Sequence, residues 1–240
     1  MLLFITSMAL NSFSFMTMFL DLLAVGSDIT HHVGTGYAYG NWSSAVFSIF
    51  LFSFFVMAFF IPTRKRDWRS LGLYEAFLVA LFTEMYGFPL TIYLLSNFGL
   101  NIATDHVSGH LLATFLSSVG ILSLTMAWVL VMAISTLVMA AGFVIIYSGW
   151  RGIHSSNGEL VTGGVYKHVR HPQYVGLTLV TIGLMIQWPT LLTLIMWPVM
   201  MGMYYKLAKK EERDVESIHG RKYLEYKQKV PMFIPRIKRN

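Results

Sequence analysis

Residues 121–147 read ILSLTMAWVLVMAISTLVMAAGFVIIY and contain no Asp, Glu, Lys or Arg. A bilayer core takes about 20 apolar residues in a helix, so this stretch is long enough to cross one. Five further apolar runs flank it: Leu2–Val25, Trp42–Ile61, Leu71–Leu95, Tyr174–Trp188 and Thr190–Tyr205. The last two are short, about 22–24 Å each at 1.5 Å per residue, and turn on Trp188-Pro189. The whole chain is 55% hydrophobic and only 12% charged, against about 25% charged in an ordinary soluble domain. With a mean hydropathy of +0.57, these runs predict an all-α integral membrane bundle of about six transmembrane helices. A C-terminal cytoplasmic helix and tail follow them. Residues 1–150 hold four of the predicted spans. Residues 151–240 hold the last hairpin and the polar tail.

The charges orient the bundle. The net charge is +6, but Lys and Arg occur only in 64–69, 151–170 and from Lys206 onward. A nucleic-acid surface would spread them otherwise. Loops of this kind mark the inner side of a membrane, so both termini are expected in the cytoplasm, as for a multi-pass protein of a prokaryotic inner membrane. Leu2–Val25 lacks a basic leader and reads as an anchor helix rather than a cleaved signal. Segments 26–41 and 96–120 face outward; His110–Ser118 within them is apolar but too short to span. Trp42, Trp68, Trp150, Trp188 and Trp197 mostly fall near span ends, as aromatic belts do. There is no cysteine, which excludes thiolate metal sites, disulfides and a thiol nucleophile.

Chemistry concentrates in Gly158–Gly176, GELVTGGVYKHVRHPQYVG, and in Lys209–Lys229, KKEERDVESIHGRKYLEYKQK. The Gly163-Gly164 pair permits a close backbone approach to a ligand. Pro172 suits the first turn of a helix, whose N-terminus would favour an anionic group, helped by Arg170. Glu211 and Glu212, just past the last span, suit a cationic or polyhydroxyl ligand. Val230-Pro231-Met232-Phe233-Ile234-Pro235 sets two prolines about an apolar triplet and predicts an extended piece docking back on the bundle.

The pattern Arg170-His171-Pro172-x-Tyr174-x-Gly176, followed one helical hairpin later by Glu211-Glu212 and then by His219-Gly220 through Tyr223 and Tyr226 to Val230-Pro231, resembles the isoprenylcysteine carboxyl methyltransferases and the related phospholipid N-methyltransferases. The resemblance covers roughly residues 150–236. Val165 departs from it, since relatives often carry proline there. It implies a helical membrane enzyme that binds S-adenosylmethionine near the cytoplasmic face and methylates a lipophilic small-molecule or lipid acceptor (a carboxylate, amine or thiol). Carried over residue by residue, the cofactor contacts would be Tyr166, His171, Pro172, Tyr174, Gly176, Glu211 and Glu212, with Arg170 facing cofactor or acceptor. Methyl transfer from a sulfonium needs alignment and dryness rather than a metal, and tyrosine faces such as those of Tyr166 and Tyr174 can hold the cationic sulfur.

Other residues carry competing readings. Glu84, inside the third span, is costly in lipid and a functional candidate by default; with Arg170 it completes the pair of candidate catalytic residues, the alternative being a hydrogen-bonded packing role. Asp21 reads as interfacial. His31, His32, His106 and His110, with Asp28 and Asp105, lie on the outward face. His106 and His110 would share one side of a helix, as metal ligands or as plain loop residues. A sterol-reductase-like enzyme using NADPH and a non-enzymatic membrane protein are the other classes that fit the architecture.

Overall fold

The computed structural model describes residues 39–60, 68–100, 107–156 and 158–236. The predicted first span, Asp21, Asp28, His31, His32, Asp105 and His106 lie outside them. The described chain is helical, with no strand among its residues: α1 Trp42–Phe60, α2 Trp68–Phe82, α3 Leu90–Asn97, α4 Leu111–Ser118, α5 Leu124–His154, α6 Pro172–Gln187, α7 Leu191–His219 and α8 Arg221–Lys229. From Tyr39 onward they form one compact unit.

Helix α5 is the predicted fourth span, begun one turn later and carried past Arg151. Ser123 starts it, its Oγ accepting the Met126 N–H at 3.3 Å. Its buried side, Ala127, Val131, Ser135, Gly142, Ile146 and Gly149, packs inward. Its opposite side exposes Met126, Leu137 and Val144, each more than 60% open. Water would not tolerate a stripe of that kind on a 31-residue helix, whereas lipid does. The expected boundary at 150/151 falls within the last turn of this helix.

Among the described residues two helices, α5 and α7, are long and apolar enough to cross a bilayer, or three if the bent run Leu71–Asn97 is counted as one span, so the expected count of about six is not reached there. The physical reasons are local. The predicted third span breaks: α2 passes into a π-helical turn, Thr83–Gly87, and α3 leaves at a 73° bend. Pro89 cannot continue the hydrogen-bond ladder, and the freed groups find partners. The carbonyls of Tyr86 and Gly87 accept the N–H groups of Asn41 and Gly40, both at 2.8 Å. Helix α6 has 16 residues, below the length a span needs. The predicted sixth span and the polar helix after it are one continuous helix, α7, capped at its start by Thr190 Oγ1 on the Thr193 N–H and ended at Gly220, whose φ is +51°.

Helices α5 and α6 form the closest pair and run antiparallel. Gly142 meets the Gly176 carbonyl, Gly183 meets Ser135 and Met139, and Gly149 meets Pro172. Small residues at seven-residue intervals let the two backbones approach, the common device of helix pairs in lipid. This packing fixes the start of α6 against α5. Helix α7 crosses α2, with Tyr74, Phe77, Leu78, Tyr174, Val180, Met200, Tyr204 and Ala208 in the shared core.

Candidate functional site

The site forms where four pieces meet: the residues just before α6, the polar part of α7 beyond its apolar turns, the end of α8, and the strap 230–236. The strap docks as its two prolines predict. The Arg170 N–H donates to the Pro231 carbonyl at 2.9 Å, and the His171 N–H to the Met232 carbonyl at 3.2 Å. These two bonds fix the backbone of Arg170 and His171 just ahead of α6, which Pro172 opens at its first position.

Glu212 is the buried centre, its side chain only 1% exposed. Its Oε1 accepts from Arg170 Nε at 2.8 Å and stands 2.7 Å from Nη2. Lys227 Nζ reaches Oε2 at 3.3 Å. The third guanidinium nitrogen, Nη1, donates to the carbonyls of Lys227 and Val230, at 2.9 and 2.6 Å. A cation on the last carbonyls of α8 also meets the negative end of that helix. Burial pushes the Glu212 carboxyl up, but the hydrogen bonds from His171, Arg170 and Lys227 and the guanidinium charge outweigh it and bring its pKa down to about 2. Arg170 and Glu212 thus form a clasp tying α6, α7, α8 and the strap together. Every guanidinium nitrogen of Arg170 is engaged within the protein, which differs from the expected outlook onto cofactor or acceptor.

His171 links this clasp to the open side. Its Nε2 lies 3.4 Å from Glu212 Oε1, and its Nδ1 lies 3.4 Å from Glu211 Oε2. Burial alone would lower the imidazole pKa; the two glutamates, by hydrogen bond and charge, raise it above its ordinary value. Glu211 is one-third exposed and accepts the Tyr174 hydroxyl at 2.5 Å. Tyr174 stacks on Tyr204 at 5.3 Å, and Phe233 of the strap closes on the His171 ring at 5.9 Å. The structure therefore joins His171, Tyr174, Glu211 and Glu212 as the sequence suggests.

Three expected residues take other surroundings. The Tyr166 hydroxyl reaches the Gly149 carbonyl at 3.4 Å and its own carbonyl accepts the Tyr226 hydroxyl at 2.7 Å; it anchors the loop to α5 and α8. Gly176 faces Gly142 and Ile146 across the α5–α6 contact, and Pro172 packs on Gly149. Glu84 is not brought to the group. Its Oε2 accepts the Thr91 N–H at 2.9 Å, and Thr91 Oγ1 accepts the Leu191 N–H at 3.0 Å. Glu211 is 20 residues farther along α7, roughly 30 Å at 1.5 Å per residue. Glu84 caps the broken helix. His110 is buried, its Nδ1 2.7 Å from the Gln187 carbonyl and its ring edge-on to Trp128 and Trp188. Among the described residues no cluster of three His, Cys, Asp or Glu side chains could hold a metal ion.

The sequence reading overlooked Lys227, Phe233 and Tyr204. Tyr204 was findable: it stands two helical turns before Glu211 on α7. Lys227 and Phe233 meet the site only through the fold-back of α8 and the strap, which no local spacing announces.

Residues 119–222 match the family model described as phospholipid methyltransferase. Over 86 residues, 35% of this chain, it is 38% identical to protein-S-isoprenylcysteine O-methyltransferase of Xenopus laevis and 35% identical to that of Homo sapiens, covering 30% of each. Over 78 residues, 31% of this chain, it is 38% identical to methanethiol S-methyltransferase of Crocosphaera subtropica, covering 28% of it. The chain thus spans about a third of the length of these curated relatives. The family-model match holds the arginine–histidine–proline–tyrosine turn, both glutamates and the α5–α6 contact, and within this region the chain is similar to the isoprenylcysteine O-methyltransferases and to the methanethiol S-methyltransferase.

Proposed function

We propose that this protein is a membrane methyltransferase that takes a methyl group from S-adenosylmethionine and passes it to a lipophilic acceptor at the cytoplasmic face. The observation that carries the reading is the joined group of His171, Tyr174 and Glu211, held by the buried Glu212–Arg170 clasp. The relatives, named as O- and S-methyltransferases, support it.

The residues present suit such a donor. Glu211 keeps an exposed flank and is complementary to an ammonium or to ribose hydroxyls. The ring of Tyr174 is fixed by stacking on Tyr204, so that its hydroxyl holds the Glu211 carboxylate toward the open side. When bound, S-adenosylmethionine supplies an electrophilic methyl group on a sulfonium. His171 shares the carboxylates of both glutamates and fixes the Glu211 side chain. Tyr174 orients the same carboxylate from the other side. Phe233 and Met232 pack at the apolar edge and exclude water, which strengthens every charge contact inside. Arg170 is a positioning residue here, since its bonds all go to the protein. The basic segments at this end support a cytoplasmic orientation through the positive-inside rule; relatives named for isoprenylcysteine and for methanethiol support a lipophilic acceptor.

The experiment is calorimetric titration of the purified protein in detergent with S-adenosylmethionine and with its demethylated product, followed by tritiated-methyl transfer to an S-prenylated cysteine, a phosphatidylethanolamine and a long-chain thiol. Micromolar binding of both nucleosides and label in one acceptor are expected. Absence of binding by the wild type, or loss of NADPH absorbance in place of methyl transfer, would refute the assignment.

A further inference from the structure

Helix α3 is turned inside out. Thr91 and Ile92 are its buried residues, while Leu90, Tyr93 and Leu94, at i, i+3 and i+4, are 39–55% exposed. Phe88 before it and Phe98 and Leu100 after it extend the open face, at 49%, 83% and 52%. Residues 85–100 contain no Asp, Glu, Lys or Arg. A helix on water shows the reverse arrangement, apolar side inward and charges outward. A contiguous apolar face of this kind marks a surface that something covers.

Its place in the bundle says what the cover is. The run leading to α3 is a helix of 15 residues followed by a π-turn of five, together about 30 Å at 1.5 Å per residue, which is the thickness of a hydrocarbon core. At its end, Thr91 Oγ1 accepts the Leu191 N–H at 3.0 Å, which sets α3 beside the first residue of α7. Glu211 lies roughly 30 Å farther along that helix. The two ends of one bilayer thickness are therefore α3 and the glutamate site. Helix α7 is itself apolar and long enough to span, and its first turns beside α3 are open: Leu192, Leu194 and Ile195 are 44–69% exposed. Lipid that covers these residues continues onto α3.

The bend gives the orientation. Helix α3 leaves at 73°, close to the membrane plane when α2 stands upright. Hydrocarbon does not tolerate unpaired backbone at such a turn, and the protein supplies the partners. Glu84 accepts the Thr91 N–H, while the N–H groups of Gly40 and Asn41 fill the carbonyls of Gly87 and Tyr86.

We propose that α3 lies in the plane of the membrane, its open face sunk into the lipid of the leaflet opposite the glutamate site. The third predicted span then ends at Gly87, and α3 is an interfacial anchor rather than its last turns. Tyr93 suits that level, with its ring in the acyl boundary and its hydroxyl at the headgroups. A second copy of the chain is the poorer cover. Six open side chains fall short of the about 20–30 residues that a stable protein interface sets on each side, and no charged residue rims the patch.

The chain has no cysteine, so single substitutions carry a spin label without background. Leu90→Cys, Leu94→Cys and Asn97→Cys lie on the open face, with Leu130→Cys and Leu137→Cys on α5 as the ruler for a true span. All five residues are exposed, so no label displaces packing, and a position whose label lowers the melting temperature is replaced by Phe98→Cys. In vesicles of phosphatidylcholine and phosphatidylglycerol, labels at 90 and 94 should collide with oxygen more often than with a water-soluble nickel chelate, at depths of about 5–10 Å. Residues 90 and 97 are about 10 Å apart along the axis. At a 73° bend their depths should differ by only about 3 Å, whereas those at 130 and 137 should differ by about 10 Å. A difference between 90 and 97 as large as the α5 pair's would make α3 the continuation of a span. Nickel collisions dominating at all three positions would make it a water-facing helix. Low access to both reagents, with dipolar broadening between labels, would give the face to a second copy. Each of these three results overturns the proposal.

Discussion

Replacing Glu212 by alanine separates two roles that the paired glutamates have in sequence. Glu212 is 1% exposed and Arg170 10% exposed, so the pair sits in a poorly screened environment. Removing one partner of a buried ion pair costs about 3–5 kcal/mol, because the other charge is left without compensation. Two features reduce that here. Arg170 keeps its bonds to the carbonyls of Lys227 and Val230, and Lys227, at 31% exposure, can turn to Glu216 and water. The low end, about 3 kcal/mol, is therefore expected, a drop of roughly 6–12 °C in melting temperature for a chain of this size. Glu211→Ala removes a carboxylate that is one-third open, so its loss to stability is screened and should stay below about 1 kcal/mol. Its loss to donor affinity should be tenfold or more, since it presents the exposed carboxylate flank. Thermal unfolding in detergent and donor calorimetry on both variants give the crossed result: Glu212→Ala shifts the melt, Glu211→Ala shifts the binding. A Glu212→Ala protein that melts with the wild type but loses donor affinity would refute the clasp and make Glu212 a direct ligand contact.

The pKa shifts set a pH window. The raised His171 pKa contributes stability that is complete below the ordinary imidazole value and is lost as pH rises through the raised one. The lowered Glu212 pKa contributes stability that is complete above the ordinary carboxylate value and is lost as pH falls toward about 2. The melting temperature should therefore be higher at pH 6 than at pH 9, and His171→Gln should flatten that slope; an unchanged slope would remove the charged imidazole. Gly176→Ala places a Cβ 2.5 Å from Ile146 Cγ1 and 2.6 Å from the Gly142 carbonyl oxygen. Overpacking against backbone should cost about 1–3 kcal/mol despite better helix propensity, whereas Gly202→Ala, with nothing within 4 Å, should be neutral or gain up to about 1 kcal/mol; paired thermal melts check both. Glu84→Leu should cost about 1–3 kcal/mol by leaving the Thr91 N–H unpaired and leave donor affinity at the wild-type value. A large fall in that affinity would return Glu84 to the candidate site.

The parts legible in sequence are those written in local spacing. A charge-free run with a serine near its start is sufficient for α5, and Pro172, suited to a first helical turn, is sufficient for the start of α6. The glutamates fall beside the histidine because α6 and α7 are joined by a tight turn at Trp188–Thr190, so residues 171 and 211–212 return to the same end. What stayed hidden depends on long-range closure or on a choice between two uses of one residue type. Hydropathy registers Leu71–Leu95 as one run and does not see the π-turn, because the carbonyls it frees are satisfied by Gly40 and Asn41, more than 40 positions away. Burying Glu84 in that run reads as a functional carboxylate until the bend shows an N–H for it to cap. Gly176 belongs to a ligand-binding motif by pattern and to a backbone-to-backbone contact by geometry. The two are not in conflict: the contact with Gly142 is what sets α6 at the depth where His171 and Tyr174 can reach Glu211. The same logic applies to Arg170, whose position in the motif reflects the need to hold the glutamate, and through it the fold-back of α8, before any ligand arrives.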